Sequence, residues 1–170
     1  METQERRALL LAKLKAADKP LTGTVLAREL GVSRQIIVGD IAIIRASGVA
    51  VYATPQGYII PADLTTAISA TIACRHERDE LEQELAIIID HGGKIRDVIV
   101  EHPLYGEIRA NLMLRSRREL DEFLVRLAES GAKPLSIVTS GTHLHTIEVP
   151  NEKVLASIEE ELRKQGILLE

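Results

Sequence analysis

The chain is poor in aromatic residues, with three Tyr, one Phe and no Trp among 170 residues. Its cores cannot be organised around large rings and must be built from Ile, Leu, Val and Ala. Cysteine is almost absent too. The single Cys74 excludes an intrachain disulfide and a zinc site made of several thiolates. Apolar runs such as Leu85–Ile89 are far too short to span a bilayer. The opening METQERRALL is polar and mixed in charge, without the apolar stretch of a secretory signal, so a cytoplasmic protein with no membrane partner is expected. Neither a GxSxG elbow nor a P-loop occurs, which argues against hydrolase or nucleotide-transfer chemistry.

What is present is ordinary in bulk and uneven in distribution. A 45% hydrophobic, 27% charged composition belongs to folded proteins, and the length suits one ordinary domain or two small ones. Residues 1–60 hold eight Lys/Arg against five Asp/Glu, a net of +3, whereas the remainder holds 13 against 20, a net of −7. A basic front on an acidic back suggests that only the front meets a polyanion.

The front half predicts three helices and a hairpin. Glu2–Ala17 carries Leu9, Leu10, Leu11 and Leu14 at helical spacing, ended by Pro20. Thr22–Leu30 presents Val25, Leu26 and Leu30 on one face and stops at Gly31. Ser33 then caps a helix holding Ile36, Ile37, Ile41 and Ile44. The link Leu30-Gly31-Val32-Ser33 is the short, glycine-containing turn by which two helices cross steeply in a helix-turn-helix, with Val32 filling the gap between them. Val49–Ala53 and Tyr58–Ile60, separated by Thr54-Pro55-Gln56-Gly57, read as the hairpin of a wing. A three-helix module that binds protein is the alternative. The wording SRQIIVGDIAIIR resembles the biotin-repressor type of winged helix over about residues 5–60. By position, that resemblance directs Ser33, Arg34, Gln35 and Arg45 toward double-stranded DNA, with Gln56 at the wing tip. Asp40 departs from a purely basic face and is expected to cap or pair locally rather than touch DNA.

The expected division is a winged-helix domain over 1–61, a linker over 62–70 and a second domain over 71–170. In the second, strands are expected at Thr71–Arg75, Lys94–Glu101, Glu107–Leu114, Leu135–Val138 and His143–Val149. Helices are expected at Glu77–His91, Ser116–Ser130 and Asn151–Gln165. That order describes an open-faced α+β sandwich, helices on one side of a largely antiparallel sheet.

All five histidines, at 76, 91, 102, 143 and 145, lie in this half. His143 and His145 share one face of a strand and could converge on one metal ion, or could be plain surface. His76 can reach the same point as Glu84 only from a bent-back junction, because eight residues of helix would separate them by roughly 12 Å. Three imidazoles and a carboxylate suit zinc, nickel or a similar late first-row ion, and not calcium or magnesium.

Residues 71–170 resemble the three-histidine domain of the nicotinate-responsive repressors of NAD biosynthesis. The matching segments are Arg75-His76, the run DVIVEHPLYGEI at 97–108, Ser116-Arg117-Arg118 and GTHLHTIE at 141–148. The resemblance implies an HPr-like fold and one divalent transition metal, nickel or zinc, on His76, Glu84, His143 and His145. It further implies nicotinate as effector and puts His102, the third family histidine, near the site; Tyr105, Arg109 and Thr142 are candidate contacts as nearby hydrogen-bond donors. A homodimer on a palindromic operator is expected, since one winged helix covers too few bases for a unique site. A metalloregulator in which the metal itself is the signal is the alternative.

Overall fold

Side-chain caps decide where the second and third helices begin. The computed structural model describes residues 2–61 and 67–170, and its contacts divide the chain into two compact units, Met1–Asp63 and Leu64–Glu170. In the first unit, α1 (Thr3–Ala16), α2 (Gly23–Leu30) and α3 (Arg34–Ala46) precede β1 (Tyr52–Thr54) and β2 (Gly57–Ile59). Thr22 Oγ1 accepts the Val25 N–H at 3.2 Å, and Ser33 Oγ accepts the Ile36 N–H at 3.3 Å, each satisfying a donor that the helix cannot. Gly31 ends α2 in the left-handed region, φ 65°, and the chain turns directly into α3. Leu10, Leu14, Leu26, Ile37 and Ile41 fill the space between the helices; burying each stabilises the unit by about 1.5–3 kcal/mol. Val32 packs against this core, as the turn requires.

The hairpin is tighter than the sequence suggests: its first strand starts later, at Tyr52, and its second one residue earlier, at Gly57. Val49–Val51 is not a strand: the Val51 N–H bonds back to the Val49 carbonyl at 2.9 Å, a tight turn, and Val51 is buried in the core. Pairing starts at Tyr52 opposite Ile59 and closes at Thr54 opposite Gly57. Leu21 and Tyr58 exchange backbone hydrogen bonds at 2.9 and 2.8 Å, which ties the wing to the segment before α2. Gly57 is needed there. Its φ is 132°, and a Cβ would stand 2.5 Å from the Leu21 carbonyl oxygen.

In the second unit, β3 (Ile68–Arg75), β4 (Lys94–His102), β5 (Gly106–Leu114) and β6 (Thr142–Val149) form an antiparallel sheet in the order β3-β6-β4-β5. The helices α4 (Leu81–Asp90), α5 (Arg117–Ser130) and α6 (Glu152–Lys164) pack on it. Leu85, Ile88, Leu120, Ile158 and Leu162 meet Ile72, Ile95, Leu114 and Ile147 in one core. Ser116 and Asn151 cap α5 and α6.

The expected α+β class holds, with two local corrections. Leu135–Val138 is not a fifth strand but part of a 3-10 turn, Leu135–Thr139. Its carbonyls are taken locally: Ser136 O accepts both the Thr139 hydroxyl and the Gly141 N–H, leaving no ladder to join. The expected linker at 62–70 is also too long, because Ile68 already opens β3 opposite Val149; positions 62–66 of that linker lie outside the described residues. The sheet carries two irregularities. Between Ile95 opposite Ile147 and Ile99 opposite Leu144, β4 has one residue more than β6. Alongside, β5 has an extra residue against β4, where Met113 adopts φ 51°.

Candidate metal centre and nucleic-acid interface

Glu84 projects from the first turn of α4 into the core and is completely enclosed. An isolated carboxylate there would be prohibitively desolvated. Three imidazoles meet it instead. His76 Nε2 lies 2.7 Å from Glu84 Oε2, His143 Nε2 lies 2.9 Å from Oε1, and His145 Nε2 stands 3.4 Å from Oε2. His143 and His145 leave β6 on the same face, as period-two spacing demands, with ring centres 4.8 Å apart.

His76 reaches the cluster by the expected bend. The chain does not run from β3 straight into a helix; a 3-10 turn over Arg78–Glu80 intervenes, held by reciprocal capping between Glu77 and Glu80. Gly141 then allows the loop before β6 to close on His76, since a Cβ there would stand 2.4 Å from the His76 carbonyl oxygen. Its φ of 95° also favours glycine.

The outer nitrogen of each ring is fixed by the backbone. Nδ1 of His76, His143 and His145 lies 2.6, 2.8 and 2.7 Å from the carbonyl oxygens of Glu77, Gly141 and Asp97. A carbonyl only accepts, so each Nδ1 carries a proton and each Nε2 is aimed inward. Burial pushes the Glu84 carboxyl up, but the charge of His145 and the hydrogen bonds of His143 and His76 outweigh it and hold the group well below the usual carboxylate range. Burial disfavours charge on His76 and His145, yet Glu84 outweighs it and raises both.

This arrangement fits a metal. His76, Glu84 and His143 bring ligand atoms within 4.8 Å of one another, and the buried His145 Nε2 has no hydrogen-bond partner. Three convergent nitrogens, each backed by a donor–carbonyl bond, and a carboxylate are the donor set of a zinc- or nickel-type site. Next to it lies a cavity of about 40 Å³, walled by Leu81, Val98, Phe123, Leu127 and Leu135, with His143 and His145 at its edge.

The other expected ligand contacts are not gathered here. His102 serves the β4–β5 hairpin: its Nδ1 accepts the N–H groups of Leu104 and Tyr105 at 3.1 and 3.2 Å. Tyr105 stacks near His102 and is 73% exposed. Arg109 donates to Asp97 at 2.6 Å and to Glu107 at 3.2 Å, and Thr142 is exposed at the start of β6. Sequence reasoning missed Asp97 and the cavity wall. Asp97 is buried, its carboxylate accepting the Thr146 N–H at 2.9 Å, while its carbonyl holds His145. An acidic residue before the apolar run Val98-Ile99-Val100 was the available signal.

On the first unit, Arg34 and Gln35 are exposed in the first turn of α3, and Ser33 spends its oxygen as the cap. Arg45 donates Nε to the Val51 carbonyl at 2.7 Å and lies over the Tyr58 ring, so it also braces the wing. The Gln56 amide is enclosed at the wing, its nitrogen and oxygen without partners. Asp40, on the buried side of α3, accepts from Arg6 at 2.7 Å and Arg7 at 2.9 Å, the local pairing expected of it. Burial pushes the Asp40 carboxyl up, but those two hydrogen bonds outweigh it and lower the group.

A helix-turn-helix with a wing, joined in one chain to an α+β unit built around a histidine–carboxylate cluster, defines a DNA-binding regulator. Residues 6–59 match the HTH domain family and residues 69–170 match the 3H domain family. The chain is 41% identical over 167 residues to the "Probable transcription repressor NiaR" of Thermotoga maritima, covering 98% of this chain and 95% of that one. It is 38% identical over 167 residues to the "Transcription repressor NadR" of Bacillus subtilis, covering 96% and 93%. The chain belongs to this family of transcription repressors. Its partner is DNA, and among the described residues no helix is long and apolar enough to cross a membrane.

Proposed function

We propose that this repressor acts in the cytoplasm as a homodimer on operators of NAD biosynthesis or niacin uptake genes, with nicotinate as co-repressor. One divalent transition metal, nickel or zinc, is held by His76, Glu84, His143 and His145. The observation that carries the reading is the convergence of three buried Nε2 atoms on Glu84, each ring fixed through Nδ1. The metal would supply a Lewis-acidic position that can take the pyridine nitrogen or the carboxylate of nicotinate. The ring would sit against the apolar wall of Leu81, Phe123 and Leu135.

The enclosed part of this pocket, about 40 Å³, holds water but not a whole aromatic ring, so a ligand seated fully within it would displace its wall. A ligand that fits only the displaced state has different affinities for the two states, which is what a switch requires. The same small cavity also favours a second reading, in which a closed four-ligand site makes the metal itself the signal. Calorimetry with nicotinate on metal-loaded and metal-stripped protein separates them. Binding only to the loaded protein, with tighter operator binding, is expected; metal-dependent operator binding without any nicotinate response supports the second reading. Light scattering at micromolar concentration should give a dimer, and a monomer that persists on operator removes the homodimer.

A further inference from the structure

The outward face of α3 is apolar. At 100° per residue, Gln35, Ile36, Gly39, Ala42, Ile43 and Ala46 fall on one side of the helix, opposite the buried Ile37, Ile41 and Ile44. All six are exposed; Ile36 and Ile43 are 41% and 46% exposed. Gln35 is the one hydrogen-bonding side chain on that face.

The cations stand on its two flanks. Arg34 and Arg45 lie toward the wing, Arg34 alongside Gly23 and Arg45 over Tyr58. Arg6 and Arg7 lie on the other flank, tied to Asp40. An apolar strip with Arg34 and Arg45 on one flank and an Arg6–Arg7–Asp40 cluster of net charge +1 on the other is complementary to a major groove between two phosphate backbones. Gly39 adds a separate indication. It stands mid-helix at the centre of the strip, where a Cβ would meet nothing within 4 Å of the protein. Glycine there weakens the helix by about 0.5–1 kcal/mol relative to alanine, with no internal packing reason, and it lets the backbone come close to a bound surface.

Of the groups presented by base edges in the major groove, the thymine C5-methyl is the apolar one. We infer that Ile36 and Ile43 read thymine methyl groups in the operator, Gly39 letting the helix approach them, while Gln35 supplies the polar contact and the flanking arginines hold phosphates. Specificity then rests on where methyl groups stand in the groove more than on a set of arginine–guanine pairs.

The test replaces thymine by uracil, which removes the methyl and leaves the Watson–Crick edge intact. A duplex enriched from a random pool by the full-length chain is prepared with thymine and with uracil at each position of the half-site. For the wild type, each contacted methyl removed should weaken binding about three- to fivefold, the worth of one buried methyl-sized group. Ile36→Ala and Ile43→Ala, both at exposed positions and expected to keep the wild-type circular dichroism, should each bind the thymine duplex more weakly and become indifferent to uracil at one position. Failure to enrich any sequence, equal wild-type affinity for thymine and uracil duplexes, or an undiminished uracil penalty in both variants would overturn the inference. A variant equally weakened on both duplexes but still penalised by uracil also overturns it, since its side chain then serves another surface.

Discussion

The carbonyl oxygen of Asp97 accepts the Nδ1 proton of His145 at 2.7 Å, across the point where β4 carries one residue more than β6. In an unbroken ladder that carbonyl would be paired with β6 backbone. Here the Asp97 carboxylate takes the Thr146 N–H instead, and Arg109 anchors the carboxylate from the other side. The bulge thus exchanges a ladder bond for control of one imidazole.

Asp97→Ala should therefore loosen His145 without removing any ligand. Metal affinity is expected to fall about 10- to 100-fold, the usual consequence of losing a supporting contact behind a ligand. Asp97→Asn, whose side-chain oxygen can still accept from Thr146, should recover most of it. Competition with a chromophoric chelator measures both, and wild-type affinity in Asp97→Ala would show that the bulge does not need its carboxylate.

Asp40 fixes α1 to the buried side of α3. Its folded pKa is depressed below its unfolded value, so its contribution to stability is fully present above about pH 3.9 and disappears as pH falls through the lower folded value. Asp40→Ala should destabilise the first unit by about 1–3 kcal/mol at neutral pH, the range for losing hydrogen bonds to a charged group. The gap between wild type and variant should close in acid. Hydrogen exchange resolved on α1 and α3 reports it, and a gap that stays constant down to pH 2 would contradict the linkage.

Arg34 stands on the flank of α3 and not at the centre of its outward face, the position expected of a phosphate contact rather than a base contact. Arg34→Ala should weaken binding to operator and to unrelated duplex alike and reduce the salt slope by about one unit, leaving metal content unchanged. A loss confined to one operator position would assign Arg34 to a base instead.

How much of this was legible in the sequence follows from the range of the forces involved. The helix-turn-helix could be read because its signals are local: a cap at Ser33, a left-handed glycine at 31, apolar spacing at Ile37, Ile41 and Ile44. His143 and His145 could be placed on one face because a strand has period two. That His76 and Glu84 join them was implied by family likeness, since the bend at Arg78–Glu80 and the approach of Gly141 are set by tertiary contact. Leu135–Val138 reads as a strand from sequence because its β-branched residues say nothing about carbonyls already taken by Thr139 and Gly141. The Asp97 bulge was invisible for the same reason, being a matter of register between strands.

His145→Ala offers the sharpest test of the second unit. His143 and His145 share a strand face with ring centres 4.8 Å apart, and His145 alone of the three rings lacks a hydrogen bond at its inner nitrogen. A ring that only filled space would be replaceable at the cost of a cavity. A ring that is a ligand takes the metal with it. The variant should lose most bound metal and the nicotinate response together, while residual operator binding survives, because the winged helix folds around its own core of Leu10, Leu26 and Ile41. Asp97→Ala should show a milder version of the same loss, since there the ligand remains but its support is gone. Metal analysis by mass spectrometry on purified wild type and variant decides the matter: equal metal in both would end the four-ligand assignment, leaving Glu84 as a buried ion-pair centre for the histidines.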